Sequence, residues 1–213
     1  MTNGYTVPSL ANTRPEPLAA SALVLETERL RLRPLSLDDM DLGRAIFFDP
    51  DVVKYVCPLS TPESLPGELK TATARGAGGR LGVWCVMDKA SGEKLGTGIL
   101  LPLPLEGEDT DWSQVVEDRY PDAEIEVGYM FKRTAWGKGY ATEVCTRLVR
   151  FFFEQTELEE LVAVTDPENL PSQHVLRKAG LRDRGLRHAY SCEVPGFGIT
   201  REEWLGGKRC PTK

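Results

Sequence analysis

Trp136-Gly137-Lys138-Gly139-Tyr140-Ala141-Thr142-Glu143 decides the reading of this chain. It follows an apolar run at residues 125–131 and opens an amphipathic helix. Ala141, Val144, Cys145, Leu148, Val149 and Phe152 recur at three- and four-residue spacing, which places them on one helix face. Thr142, Glu143, Thr146, Arg147, Arg150 and Glu154 lie elsewhere. Two glycines let backbone pass close to a ligand where a side chain would block it. The helix start offers unpaired N–H groups and a positive dipole end, a combination that favours phosphate. From the residues alone, a phosphate-binding loop and a plain strand-to-helix turn both stand.

Two other phosphate motifs fall away. No G-x-x-x-x-G-K-[ST] run occurs. A dinucleotide fingerprint needs Gly or Ala where Thr142 sits, and an acidic residue ending the next strand. Glu157, Glu159 and Glu160 instead precede the next apolar run, 161–164. A nicotinamide-dependent oxidoreductase is therefore disfavoured.

The 213 residues suit one domain with a sizeable core. Hydrophobic residues at 41% and charged residues at 27% are ordinary for a soluble globular protein. No apolar stretch approaches the ~18–20 residues that span a membrane, and residues 1–22 lack the pattern of a secretory signal. Pro8, Pro15 and Pro17 suggest a mobile tail there. Five scattered cysteines without a Cys-x-x-Cys, and only His174 and His188, argue against a metal site and for reduced thiols in the cytoplasm. The net charge of −6 argues against nucleic acid as the main partner.

Along the chain, residues 23–25 and 30–33 read as a first strand region. Ser36 caps a helix whose buried side is Leu37, Met40, Ala45 and Ile46. A short helix follows at 68–74, then a hairpin of 81–87 and 95–101 around the turn 88–93. Segment 106–126 carries nine acidic residues against only Arg119. After the central strand and its helix come strand 161–165, helix 172–179 and strands around 181–193 and 197–204. This mixed order gives an α/β or α+β single-sheet domain over 23–205, with tails at 1–22 and 206–213.

Four segments in order resemble the GNAT superfamily of acetyl-CoA-dependent N-acetyltransferases, within it the branch like the ribosomal-protein N-terminal acetyltransferases. Trp136-Gly137-Lys138-Gly139-Tyr140-Ala141 is similar to that family's [QR]-x-x-G-x-[GA] pyrophosphate loop, with tryptophan in the first place. Thr27 to Pro34 resembles the branch's opening strand, and Glu126-Val127-Gly128-Tyr129 its central strand. Asn169-Leu170-Pro171-Ser172 with residues 175–181 resembles its second cofactor helix. The resemblance implies a mixed sheet of about six to seven strands flanked by helices, with splayed central strands holding acyl-CoA.

It also implies a site. Backbone of residues 136–142 holds the pyrophosphate of acetyl-CoA, and backbone near Tyr129, Met130 and Phe131 pairs with the pantetheine arm. Lys132, Arg133 and Lys138 add positive charge or form a solvated basic cluster. Glu126 is the general base, with Glu124 in reserve; crowding with Asp122 would raise their pKa values. Many relatives place an acidic tyrosine four residues before the glycine that here is Gly180, but Leu176 stands there. Ser172 then serves as donor to the sulfur and Asn169 bonds the pantetheine amides, unless both simply start the helix. His174 faces solvent. Trp84, Trp112 and Tyr190 are candidates for an acceptor pocket, with core packing the alternative for Trp84. The implied reaction is direct acetyl transfer to an amine without metal. The acceptor is a small-molecule amine, or alternatively a protein N-terminus. A non-catalytic acyl-CoA sensor is the third reading. The resemblance allows a homodimer.

Overall fold

The apolar alternation of the sequence becomes a sheet covered on both faces. The computed structural model describes residues 14–208. Its strands are β1 (Leu25–Glu26), β2 (Leu30–Pro34), β3 (Arg75–Gly76), β4 (Leu81–Asp88), β5 (Lys94–Pro102), β6 (Ile125–Phe131), β7 (Glu160–Val164), β8 (Arg182–Ala189) and β9 (Cys192–Thr200). The spatial order is β1-β2-β4-β5-β6-β7-β9-β8, with β3 paired to β4. Among the described residues only β6 and β7 run parallel. Nine strands exceed the expected six to seven; two of them, β1 and β3, have two residues each.

Helices α1 (Met40–Phe47), α2 (Pro50–Val53) and α3 (Leu65–Ala72) precede the hairpin of β4 and β5. Helix α4 (Tyr140–Gln155) links β6 to β7, α5 (Leu170–Lys178) links β7 to β8, and α6 (Arg201–Lys208) follows β9. Strand side chains point alternately to opposite faces. In β4, Trp84 and Val86 join the core under α4, while Val83 and Cys85 join the core under α1 and α3. Helix α4 lies directly on β5: a Cβ at Gly98 would come within 2.9 Å of both Val144 and Leu148.

Burial corrects several expectations. Helix α1 buries Leu42, Gly43 and Ile46, not Leu37 and Ala45, because its first regular turn starts only at Met40. The buried Asp39 anchors that start. It accepts from both terminal nitrogens of Arg33 at 2.7 and 2.6 Å and lies 3.0 Å from Lys94 Nζ. The helix expected at 68–74 runs Leu65–Ala72, and the last strand stops at Thr200, where Glu203 accepts the Thr200 N–H and α6 begins. Residues 206–208 therefore belong to a helix and not to a tail. At the other end, the expected tail is held from its later part: Leu18 N–H donates to Gly78 and Arg80 to the Glu16 carbonyl. Residues 1–13 lie outside the described residues. Trp84 is fully buried, with its indole donating to the Leu23 carbonyl, so it packs the core and lines no pocket.

Candidate active site

The site grows from one strand. β6 pairs with β5 along its whole length but registers with β7 only at Glu126 opposite Val162. Beyond that pair the two parallel strands part, and residues 128–130 become half-exposed. Alternation sends Tyr129 toward α4 and α5, and Glu126 and Met130 toward the other face.

The loop after β6 is built for close backbone approach. Gly137 and Gly139 have φ of 72° and 81°, the left-handed region that glycine enters without penalty. Gly139 is the N-cap of the sixteen-residue α4, whose bond from Glu143 N–H to Gly139 leaves the N–H groups of Tyr140, Ala141 and Thr142 ahead of it. The exposed Trp136 turns its indole back to donate to the Phe131 carbonyl at 2.7 Å, fastening the loop to the end of β6. Ala141 and Thr142 are half-buried, and Lys138 is exposed.

Arg29, which sequence reading placed only in an opening strand, braces this loop. Its Nη1 donates to the Lys138 carbonyl at 2.9 Å, its Nε donates to Glu143 at 2.8 Å, and its guanidinium lies 4.6 Å over the Tyr140 ring. A carboxylate in the first helical turn competes with a bound anion for the dipole. Here Arg29, its backbone N–H and the Thr27 hydroxyl hold Glu143 below its usual pKa against the opposing effect of burial, and the arginine cancels its charge. Lys132 and Arg133 do not serve the loop as expected. The turn Arg133–Ala135 directs them away, Lys132 to Glu93 and Arg133 to Asp49 and Asp51.

Glu126 is 5% exposed and takes a hydrogen bond from the Tyr190 hydroxyl. Burial pushes its pKa up to about 7, with the nearby Asp109 adding to the rise; Tyr190 and Arg187 oppose it. Burial, not crowding with Asp122, is thus the main cause. Glu124 sits before β6, exposed and ion-paired with Arg187, and is poorly placed to act as a base. Much of the acidic segment 106–126 has local duties. Glu106 contacts His188 and Ser191, Asp109 accepts from Thr110 and Trp112, and Asp111 caps the turn at Ser113.

On the α5 side, Asn169 caps the helix by accepting the Ser172 N–H at 3.1 Å. Its side-chain oxygen is therefore committed to the backbone. The Ser172 hydroxyl lies 3.0 Å from the Tyr129 hydroxyl. Leu176 is buried in the core, so the phenol near the start of α5 comes from β6 and not from the helix itself. His174 is exposed, as expected. Tyr190, Arg187, Asp109 and Arg29 gave little local signal, since each reaches its partner from a distant segment. Among the described residues no cluster of three or more His, Cys, Asp or Glu could hold a metal ion, and no helix is long and apolar enough to cross a membrane.

Comparison with known proteins shows the family. The family model for the acetyltransferase (GNAT) domain matches residues 29–182. The FsC-acetyl coenzyme A-N(2)-transacetylase of Aspergillus fumigatus is 29% identical over 192 residues, covering 85% of this chain and 77% of that protein. The solved acetyltransferase of Agrobacterium tumefaciens strain C58 superposes with a TM-score of 0.67 at 25% identity, covering 86% of this chain and 98% of the other. An aminoglycoside acetyltransferase, AAC(6')-Ib, solved in complex with coenzyme A, shares the fold with a TM-score of 0.64 at 17% identity, covering 84% and 99%. With the matched domain spanning both the loop and the Glu126 strand, the chain belongs to the GNAT family and is an acetyltransferase of the kind that draws its acetyl group from acetyl-CoA.

Proposed function

We propose that this chain acetylates a primary amine of a small-molecule or amino-compound acceptor by direct attack in a ternary complex. The observation that carries the reading is the buried Glu126 at the point where β6 and β7 part. A base works best with a pKa near the operating pH, and about 7 meets that condition. The amine nitrogen attacks the thioester carbonyl carbon, a C–N bond forms, and the C–S bond breaks with its electron pair on sulfur. Glu126 takes the amine proton and passes it to solvent. Ser172 Oγ, held by Tyr129, donates to the departing thiolate. Thiolate is a tolerable leaving group, with a reference pKa near 8.5.

Residues 136–142 would hold the pyrophosphate through backbone N–H groups, and the freed edge of β6 near Tyr129, Met130 and Phe131 would take the pantetheine arm. Asp109 and the rest of segment 106–126 lend the Glu126 side a negative field that attracts an ammonium. The Aspergillus relative, named as an N(2)-transacetylase, supports transfer to a nitrogen.

Release of free thiol from acetyl-CoA over a panel of small amines and of peptides with free N-termini tests the proposal. Glu126→Gln should cut turnover by about 10²–10⁴-fold. Turnover of peptides alone would transfer the role to protein N-termini. Full activity in the Glu126→Gln enzyme would remove the base.

A further inference from the structure

The turn between β8 and β9 has two residues, Tyr190 and Ser191, and both are left-handed, with φ of 53° and 57°. A two-residue hairpin of this hand ordinarily carries Asn, Asp or Gly. An aromatic side chain there is a backbone outlier, and such outliers persist only where surrounding contacts over-determine them. Here those contacts come from the segment after β5. Tyr190 N–H donates to the Pro104 carbonyl at 3.0 Å and Ser191 N–H to Leu105 at 2.9 Å. Gly107 N–H donates to Ser191 Oγ at 2.8 Å, and Glu106 accepts from the same hydroxyl. The Tyr190 ring packs with Leu103, Val162 and Ala189. The product of this strained, tethered turn is a phenol reaching across 64 residues of sequence to the buried Glu126 carboxylate.

We infer that Tyr190 is the positioning residue for Glu126: the strained turn aims its hydroxyl so that it supports the ionised carboxylate against burial and orients it toward the gap between β6 and β7. A hydroxyl can donate to an ionised carboxylate at no competing cost, whereas a protonated carboxyl offers fewer accepting sites. The other charged groups facing Glu126 are Arg187 from β8, which also favours the ionised form, and Asp109, which opposes it. Arg187 is ion-paired with Glu124, and among the described residues it is Tyr190 that hydrogen-bonds the Glu126 carboxylate. This inference rests on the proposal that Glu126 is the base, and its test separates the two.

The experiment follows the Glu126 carboxyl itself, by carbon NMR of selectively labelled glutamate assigned against Glu126→Gln, in wild type and Tyr190→Phe. Phenylalanine keeps the ring packing and removes only the donor. The titration midpoint of Glu126 should rise by about one unit, as expected for losing a hydrogen bond to a charged group. Turnover at pH 7 should fall several-fold and recover toward pH 9, with the KM for acetyl-CoA unchanged. A role confined to folding would lower stability and leave the midpoint in place. Tyr190→Asn is the second variant; it tolerates the left-handed turn and keeps the hairpin, but the space left by the ring admits water, so its midpoint should fall below that of Tyr190→Phe. An unmoved midpoint in Tyr190→Phe overturns the Tyr190 inference, whatever Glu126→Gln does. Normal turnover in Glu126→Gln removes the base and Tyr190's part in turnover with it, even where the midpoint moves.

Discussion

Glu126→Gln should make the protein more stable at alkaline pH while disabling it. Burial raises the Glu126 pKa from 4.5 to about 7. A carboxyl with a raised folded pKa binds its proton more tightly in the native state. Its contribution to stability is fully present below about 4.5 and is lost as pH rises through about 7. At 1.36 kcal/mol per pKa unit the full loss is about 3 kcal/mol, of which about 2–3 kcal/mol falls between pH 5 and pH 8. Glutamine has the same shape, carries no charge and can still accept from the Tyr190 hydroxyl, so the variant escapes that loss. Urea unfolding of both proteins at pH 5 and pH 8 measures it, and every other titrating group cancels in the difference to first order. Wild type should lose about 2–3 kcal/mol relative to the variant over this interval. If the two stabilities change in parallel, Glu126 titrates alike folded and unfolded, and its burial does not tune it.

Gly139→Val should leave the fold intact and weaken acetyl-CoA binding at least tenfold. Its Cβ would meet only Arg29 at 3.5 Å, but φ of 81° strains a β-branched residue by about 1–2 kcal/mol and the methyls occupy the phosphate approach. Calorimetry that finds unchanged affinity on folded protein refutes the loop assignment. Asp39→Asn should cost about 1–3 kcal/mol in chemical unfolding, since it removes the carboxylate that the half-buried Arg33 pairs with through both terminal nitrogens, while Lys94 keeps Asp41. Arg33 holds the Asp39 pKa far below the usual range, against the large opposing effect of burial. That stability is therefore present above about pH 4 and is lost on acidification, and the variant should be less acid-sensitive than wild type.

What could be read in the sequence was local. The loop 136–142, the face of α4 and the hairpin of β4 and β5 are set by residues within a few positions of one another, and period and glycine placement expose them. Glu126 and Ser172 came through resemblance, which fixes a strand position but not the partners. Those partners arrive from afar: Arg29 reaches Glu143 across 114 residues, and Tyr190 reaches Glu126 across 64. Sequence proximity also misled. Lys132 and Arg133 adjoin the phosphate loop in the chain, yet one turn directs them to carboxylates elsewhere. Asn169 carried two expectations, a ligand for the pantetheine amides and a helix start; its side-chain oxygen caps α5, and its NH2 group is what remains to meet an amide.

The two halves of the proposed chemistry are coupled through β6. Glu126 stands near its start, and the Trp136 indole bonds the carbonyl of its last residue, Phe131. Five residue steps, Glu126 to Phe131, therefore separate the base from the loop anchor, about 16–17 Å at the usual rise. Pairing with β5 along the whole of β6 keeps that separation rigid. In the proposed site, an acyl carrier whose phosphates rest on residues 136–142 would extend along the freed edge of β6, with its sulfur at Ser172 and its acetyl carbon toward the Glu126 side. In this proposal the length of β6 sets how far the acyl donor must reach, while the turn at Tyr190 and the segment 106–112 border the acceptor side.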